Sequence, residues 1–259
     1  MPHCPNCSAV LTGPYCAACG QRAIDPRDLS SRRFASELTD EVGALGSSTK
    51  TVLRSVRALF NPGLLTVEFL AGRRQPYLSP IKVYFACAAI FFLAAPLAGF
   101  TLPSLIADDR SGELLRLVTA RAAARGLDAA VFSQRFDLRL PSVYTLALGS
   151  GVLAIALLLQ LFGRRLPFGA HVVFALHYFA FLYLVTAAAG ASRRLGVPDE
   201  AAAGAAIALL APYAVIALRR AYPQSMPRIL LKSAAMIGLT LTVNRVADAV
   251  AIRLTLAML

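Results

Sequence analysis

Four cysteines near the amino terminus stand in two close pairs, Cys4-Pro5-Asn6-Cys7 and Cys16-Ala17-Ala18-Cys19. Two intervening residues let both sulfurs of a pair reach one ion at about 2.3 Å, and four thiolates around one ion are the donor set of tetrahedral Zn2+. Gly20 frees the backbone where the second knuckle turns, and Gly13-Pro14 turns the spacer between the pairs. That spacer is eight residues long, against roughly 15 to 20 in most such motifs, so the ribbon must be minimal. Its few apolar side chains cannot fold it unaided, which makes the zinc structural. A redox dithiol would normally be a single CxxC beside a βαβ pattern, which is missing here; an unmetallated ribbon is the other alternative. His3 is read as a neighbour of the ligands and Cys87 as a buried apolar thiol.

A second set of reactive types lies in apolar surroundings. His171 and His177 are six positions apart, about 120° around a helix, so they cannot share an ion from one face. Aromatic residues crowd them. Either the imidazoles bond across helices in a packing face, or they form a proton relay or ligand site, because ionisable groups at membrane depth tend to be functional. Further on, Thr240, Asn244 and Asp248 form a polar stripe, and Arg245 can pair with Asp248 at i+3. Such a stripe must face the bundle interior or a wet cavity, as glue between helices or as an ion or substrate path. His171, His177, Asn244, Arg245 and Asp248 are thus the candidate intramembrane polar site. No nucleotide loop, nucleophile elbow, metalloprotease or paired-carboxylate motif appears, so no catalytic residue is assigned and an enzyme is disfavoured.

Helices through a bilayer must position these groups. Hydrophobic residues make up 57% of the 259 and charged residues 15%, with a mean hydropathy of +0.62, which excludes a water-soluble domain and a disordered chain. No apolar stretch near Met1 suggests a signal peptide. The net charge of +12 suits anionic lipid headgroups, and no nucleic-acid partner is expected. Weakly charged runs of about 20 residues predict an all-α membrane protein with about five transmembrane helices, at residues 83–106, 142–162, 167–190, 201–218 and 233–257. A small Cys4 zinc ribbon, residues 1–24, and an amphipathic and membrane-entry segment, residues 25–82, precede this bundle of residues 83–259. In the entry segment, Leu29, Phe34, Leu38, Val42 and Leu45 predict one amphipathic helix. Val52, Leu53, Val56, Leu59 and Phe60 predict another, with Lys50, Arg54 and Arg57 opposite, which either lies in the headgroup plane or packs on its own module. Gly72 reads as a C-cap and Ser79-Pro80 as a helix start, with Arg73, Arg74, Tyr77 and Lys82 as headgroup contacts. Residues 107–141 read as an extracytoplasmic loop holding a short solvated helix.

Orientation follows from the thiols, which stay reduced in a cytosol, and from basic residues that favour a cytoplasmic amino terminus two to one overall. The expected location is the inner (cytoplasmic) membrane.

Several stretches resemble a bacterial membrane family, the domain-of-unknown-function 3667 family. The ribbon ending Cys16-Ala17-Ala18-Cys19-Gly20-Gln21 is similar to its opening, and Asn61-Pro62-Gly63 with Phe69-Leu70-Ala71-Gly72-Arg73-Arg74-Gln75-Pro76-Tyr77-Leu78-Ser79-Pro80 resembles its most specific motif. His171-Val172-Val173-Phe174-Ala175-Leu176-His177 resembles its paired-histidine helix, except that Ala170 stands where an acidic residue is common, which weakens a pairing of acid and His171. Leu218-Arg219-Arg220-Ala221-Tyr222 resembles the close of its fourth span. The resemblance implies membrane residence and zinc, with no established activity.

Three functions follow as expectations. One is a partner-docking or scaffold protein whose cytoplasmic ribbon meets a protein partner. Another is a small transporter or channel using the third and last spans. The third is an intramembrane enzyme acting on lipid.

Overall fold

The computed structural model describes residues 2–23, 48–95, 101–163 and 166–259. Among these it is helical: α1 Thr49–Leu59, α2 Leu64–Leu70, α3 Pro80–Ala94, α4 Leu102–Asp108, α5 Glu113–Ala124, α6 Ala129–Phe162, α7 Phe168–Ser192, α8 Asp199–Ala221 and α9 Met226–Met258. A 3-10 turn, Arg193–Leu195, follows α7. The helix expected from Leu29, Phe34, Leu38, Val42 and Leu45 lies outside the described residues, as do Arg164 and Arg165.

Helices α6 to α9 are each long and apolar enough to cross a bilayer. Their surfaces confirm the solvent. On α6, Phe132, Phe136, Leu140, Leu148, Ile155 and Leu159 face inward, while Leu138, Leu146, Leu153, Leu157 and Leu161 are exposed on the outside. A helix in water would put polar residues there; leucines on the outer face suit hydrocarbon. Helix α7 differs, being buried at every position from Gly169 to Tyr183. It is the central post, with α3, α6 and α8 packed around it.

Helices already surrounded by lipid gain little from the hydrophobic effect on meeting each other, so close packing must hold them. Gly151 on α6 serves that purpose. A Cβ there would stand 2.7 Å from the Phe179 ring and 2.8 Å from Val243, so the missing side chain lets three helices meet.

One expectation needs correction. Residues 107–141 are not a loop with one short helix: α5 occupies part, and α6 starts at Ala129 and runs through Pro141 into the membrane stretch. Charge between Asp128 and Arg139 hid this continuity, yet Phe132 and Phe136 are fully buried. Asp137 accepts the Leu102 N–H at 2.8 Å, so its charge caps α4 rather than marking a loop. Of the stretch 83–106, expected as one span, residues 83–94 lie in α3 and 102–106 in α4, and residues 96–100 between them lie outside the described residues. Among the described residues four helices qualify as spans by length and composition, with the shorter apolar α3 at the site of the expected first one.

Sequence-read boundaries fit well elsewhere. Ser79 caps α3, accepting the Lys82 N–H, with Pro80 as its first residue. Gly72 has a φ of +80°, and the Arg73 N–H after it reaches back to the Glu68 carbonyl at 2.9 Å, closing α2 with a left-handed cap.

Candidate functional site

The amino-terminal knuckles are two copies of one local structure. In the first, Cys4 N–H meets the Ala9 carbonyl and Ser8 N–H the Cys4 carbonyl; in the second, Cys16 N–H meets Gln21 and Gly20 N–H meets Cys16, all at 2.8 Å. Equivalent positions turn left-handed, Ser8 at φ 64° and Gly20 at φ 72°. Ser8 is the sole non-glycine with positive φ among the described residues. The turns aim four thiols inward. Cys4 and Cys19 sulfurs are 3.6 Å apart and those of Cys7 and Cys16 3.5 Å, with all four within 4.8 Å of one another.

A tetrahedron with metal–sulfur bonds of about 2.3 Å has sulfur–sulfur edges of about 3.8 Å, so the four thiols fit one ion. The Cys19 thiol is pulled down to about 7 by the backbone N–H of Gln21. Cys7, although an Ala9 N–H lowers it, is pushed up to about 12 by hydrogen bonding with Cys16 and the other thiols. Thiols this close compete for protons, and a cation relieves that competition.

Gln21, which ends the ribbon motif and to which the sequence assigns no role, lies just beyond the second knuckle. Its side chain is buried and donates to the Gly72 carbonyl at 2.7 Å. Its carbonyl oxygen accepts the backbone N–H groups of Arg74 and Gln75 at 3.1 and 3.4 Å. One carboxamide thus satisfies both backbone polarities of the turn after α2 and seats the ribbon on the entry segment.

That segment is in turn locked into the bundle. Gly63, at φ +78°, lies so close to α8 that a Cβ would meet the Ala217 backbone at 2.9 Å. Arg220 donates to the Asn61 side chain and the Pro62 carbonyl, and the Tyr213 hydroxyl donates to the Leu59 carbonyl at 3.1 Å. Thr66 of α2 is buried and shares a 3.0 Å hydrogen bond with His177 Nδ1. The entry segment therefore penetrates the helix bundle.

The intramembrane candidates do not converge. His177 is bound to Thr66, and His171 Nδ1 bonds the Tyr222 hydroxyl at 2.8 Å while its ring stacks on that phenol. Asp248 accepts from the Tyr144 hydroxyl at 2.8 Å. Asp248 turns inward to Tyr144, while Arg245, exposed on the same helix, acts on it through its charge rather than through a hydrogen bond. Asn244 instead lines a largely apolar cavity of about 370 Å³, with Tyr178, Thr240 and, at one end, Arg193 and Asp199. The stripe does face inward, and its members meet different helices.

Of the expected headgroup contacts, Arg73 makes a bidentate ion pair with Glu68 at 2.6 and 2.7 Å, and Arg74 lies 4.1 Å over the Phe69 ring. The Arg73 guanidinium holds the Glu68 carboxyl below its usual range. Tyr77 is partly buried beside these residues, and Lys82 sits in the first turn of α3. On α1, Val52, Leu53 and Val56, and Phe60 just after it, remain exposed, while Leu59 of the same expected face is buried.

Sequence reasoning missed Thr66, Gln21 and Lys232. Each is a single polar residue without motif spacing, and only burial distinguishes them. Residues 50–92 match the family model described as "Protein of unknown function (DUF3667)", which takes in Asn61-Pro62-Gly63 and the stretch from Phe69 to Pro80. No curated protein and no solved structure matches the chain.

Proposed function

We propose, for a chain that carries the DUF3667 segment over residues 50–92, a non-enzymatic role as a membrane-anchored docking protein. In this reading it resides in a bacterial inner membrane with its amino terminus in the cytoplasm, where thiols stay reduced. A structural Zn2+ held by Cys4, Cys7, Cys16 and Cys19 keeps the ribbon folded, and the ribbon meets a cytoplasmic protein partner. The observation that carries this reading is the Gln21 clamp. A ribbon seated by side-chain hydrogen bonds keeps one orientation on the bundle and pays less ordering entropy when a partner arrives. Val10 and Tyr15 stay exposed on it, at 45% and 61%, as large side chains suited to a contact surface.

Cys16→Ser/Cys19→Ser tests the proposal in the full-length chain. Wild-type protein should hold one zinc per chain, protect the amides of residues 72–75 from exchange, and give a discrete adduct from a photo-crosslinker at Tyr15. The double variant should lose all three while keeping the amide protection of α6 to α9. A metal-free variant with unchanged protection and adduct would refute the docking role.

A second reading, a small transporter, has the cavity beside Asn244 in its favour. Solute flux in proteoliposomes that is unaffected by Asn244→Leu would remove it.

A further inference from the structure

The bundle end that faces the ribbon holds a buried cation with no counterion among the described residues. Lys232, in the second turn of α9, is 1% exposed, and its ammonium makes no hydrogen bond. Its contact is the Tyr222 ring, 5.1 Å away. A cation over a ring gains about 0.5 to 2 kcal/mol, whereas taking an ammonium out of water costs several. The ring alone does not balance the burial.

A second donor stands beside it. His171 is also 1% exposed; its Nδ1 is used by the Tyr222 hydroxyl, and its buried Nε2 makes no hydrogen bond of full geometry, with the Gly163 main chain alongside. Tyr222 thus carries the imidazole on its hydroxyl and the ammonium over its ring. Gly163 borders both polar groups: a Cβ there would come into contact with Lys232 Nζ at 3.5 Å and Gln224 Nε2 at 3.4 Å. The Gln224 carbonyl oxygen is buried without a donor, ready to accept from a hydroxyl. Gly163 and Gln224 are themselves only partly buried, which marks the way in.

No carboxylate among the described residues serves this cluster. Glu68 is taken by Arg73, Asp137 caps α4, and Asp248 accepts from Tyr144. We infer that Lys232, His171 and Gln224 form a binding site for a phosphate-type anion, with the ammonium and the imidazole N–H on its oxygens and the carboxamide on an adjoining hydroxyl. Charge-assisted bonds of this kind are the strong ones in a water-poor site. The anion is the phosphodiester of an acidic lipid or free inorganic phosphate, which share this chemistry.

Full-length protein in a neutral detergent separates the two sources. Inorganic phosphate is titrated in one arm, and phosphatidylglycerol or phosphatidylcholine of equal chain length is added in the other, with Tm and native mass spectrometry as readouts. A Tm rise with phosphate identifies a free-anion site. A retained single phosphatidylglycerol, in preference to phosphatidylcholine, identifies a lipid headgroup site. Lys232→Met should weaken the effective ligand at least about tenfold, while the ligand-free variant is no less stable, since an unpaired buried charge has been removed. Gly163→Val, which sets a branched side chain against Lys232 and Gln224 but keeps the charge, should weaken binding likewise. The inference is overturned if neither ligand acts on the wild type, or if Lys232→Met or Gly163→Val binds as tightly as the wild type. Should Lys232→Met fail to fold, the wild-type arms and Gly163→Val decide it.

Discussion

Replacing Gly63 by alanine asks whether the entry segment is truly wedged into the bundle. Two costs add at that position. The backbone is left-handed, φ +78°, which costs a residue with a Cβ about 1–2 kcal/mol. The new methyl would also stand 2.9 Å from both the Cα and the carbonyl oxygen of Ala217. Those are backbone atoms of a long helix and cannot swing aside like a side-chain tip, so overpacking adds about 1–3 kcal/mol. The expected total is about 2–5 kcal/mol. Gly112 provides the matched control, because its φ is +66° and nothing lies within 4 Å of its Cβ position. Gly112→Ala should therefore cost only the backbone share, about 1–2 kcal/mol. Reversible unfolding in mixed micelles, followed by helical circular dichroism, measures both; exchange at residues 64–72 reports whether the loss is local. Equal losses for the two variants would refute the wedge, because the close approach to Ala217 is the one term they do not share.

Thr66→Val keeps the volume but strips His177 of its partner at full burial, and should destabilise by about 1–3 kcal/mol. The exposed Thr242→Val should stay within about 0.5 kcal/mol, and similar values for the two would sink the Thr66–His177 bond as a stabilising contact. Gly20→Ala puts a Cβ on a left-handed residue of the second knuckle without a clash, its nearest neighbour being 3.5 Å away. A cost of about 1 kcal/mol appears as roughly fivefold weaker zinc binding in a chelator competition, and unaltered affinity would contradict the knuckle geometry. The Glu68–Arg73 pair sets an acid limit on the turn after α2. Because Arg73 lowers the Glu68 pKa on folding, its contribution is present above the unfolded value of about 4.3 and is lost as pH falls through the lower folded value. Both groups are partly exposed, which keeps it below about 1 kcal/mol. The protection factor of the Arg73 amide, corrected for the intrinsic exchange rate, should then fall as the pH drops below about 4.3 in the wild type and stay flat in Glu68→Gln, and parallel curves would discount the pair.

Much of this architecture is dictated by residue type and spacing alone. Two CxxC pairs can converge on little besides one ion, and uncharged apolar runs cannot stay in water, so metal clip and membrane helices follow from local chemistry. Gly72 and Ser79-Pro80 were legible for a similar reason, since φ preferences and caps act within a few residues. Where charge interrupts hydropathy, the reading failed. Asp137 looked like loop chemistry until its partner, the Leu102 N–H, came from 35 residues away.

The polar contacts were beyond any sequence pattern. Nothing about His177 says that its partner is Thr66, 111 positions earlier, or about Gln21 that it clamps a turn 51 residues on. Hydropathy sorts residues by solvent, and periodicity sorts them by face. Which buried donor meets which acceptor depends on how helices cross, and that is settled by steric contacts such as Gly63 on Ala217 and Gly151 on Phe179. In a bilayer those contacts carry the weight, because lipid is as apolar as the side chains it surrounds. Composition thus chose the solvent and cysteine spacing the thiol cluster, while close packing between distant helices decided which buried polar groups found a partner and where, among the described residues, Lys232 was left without a hydrogen bond.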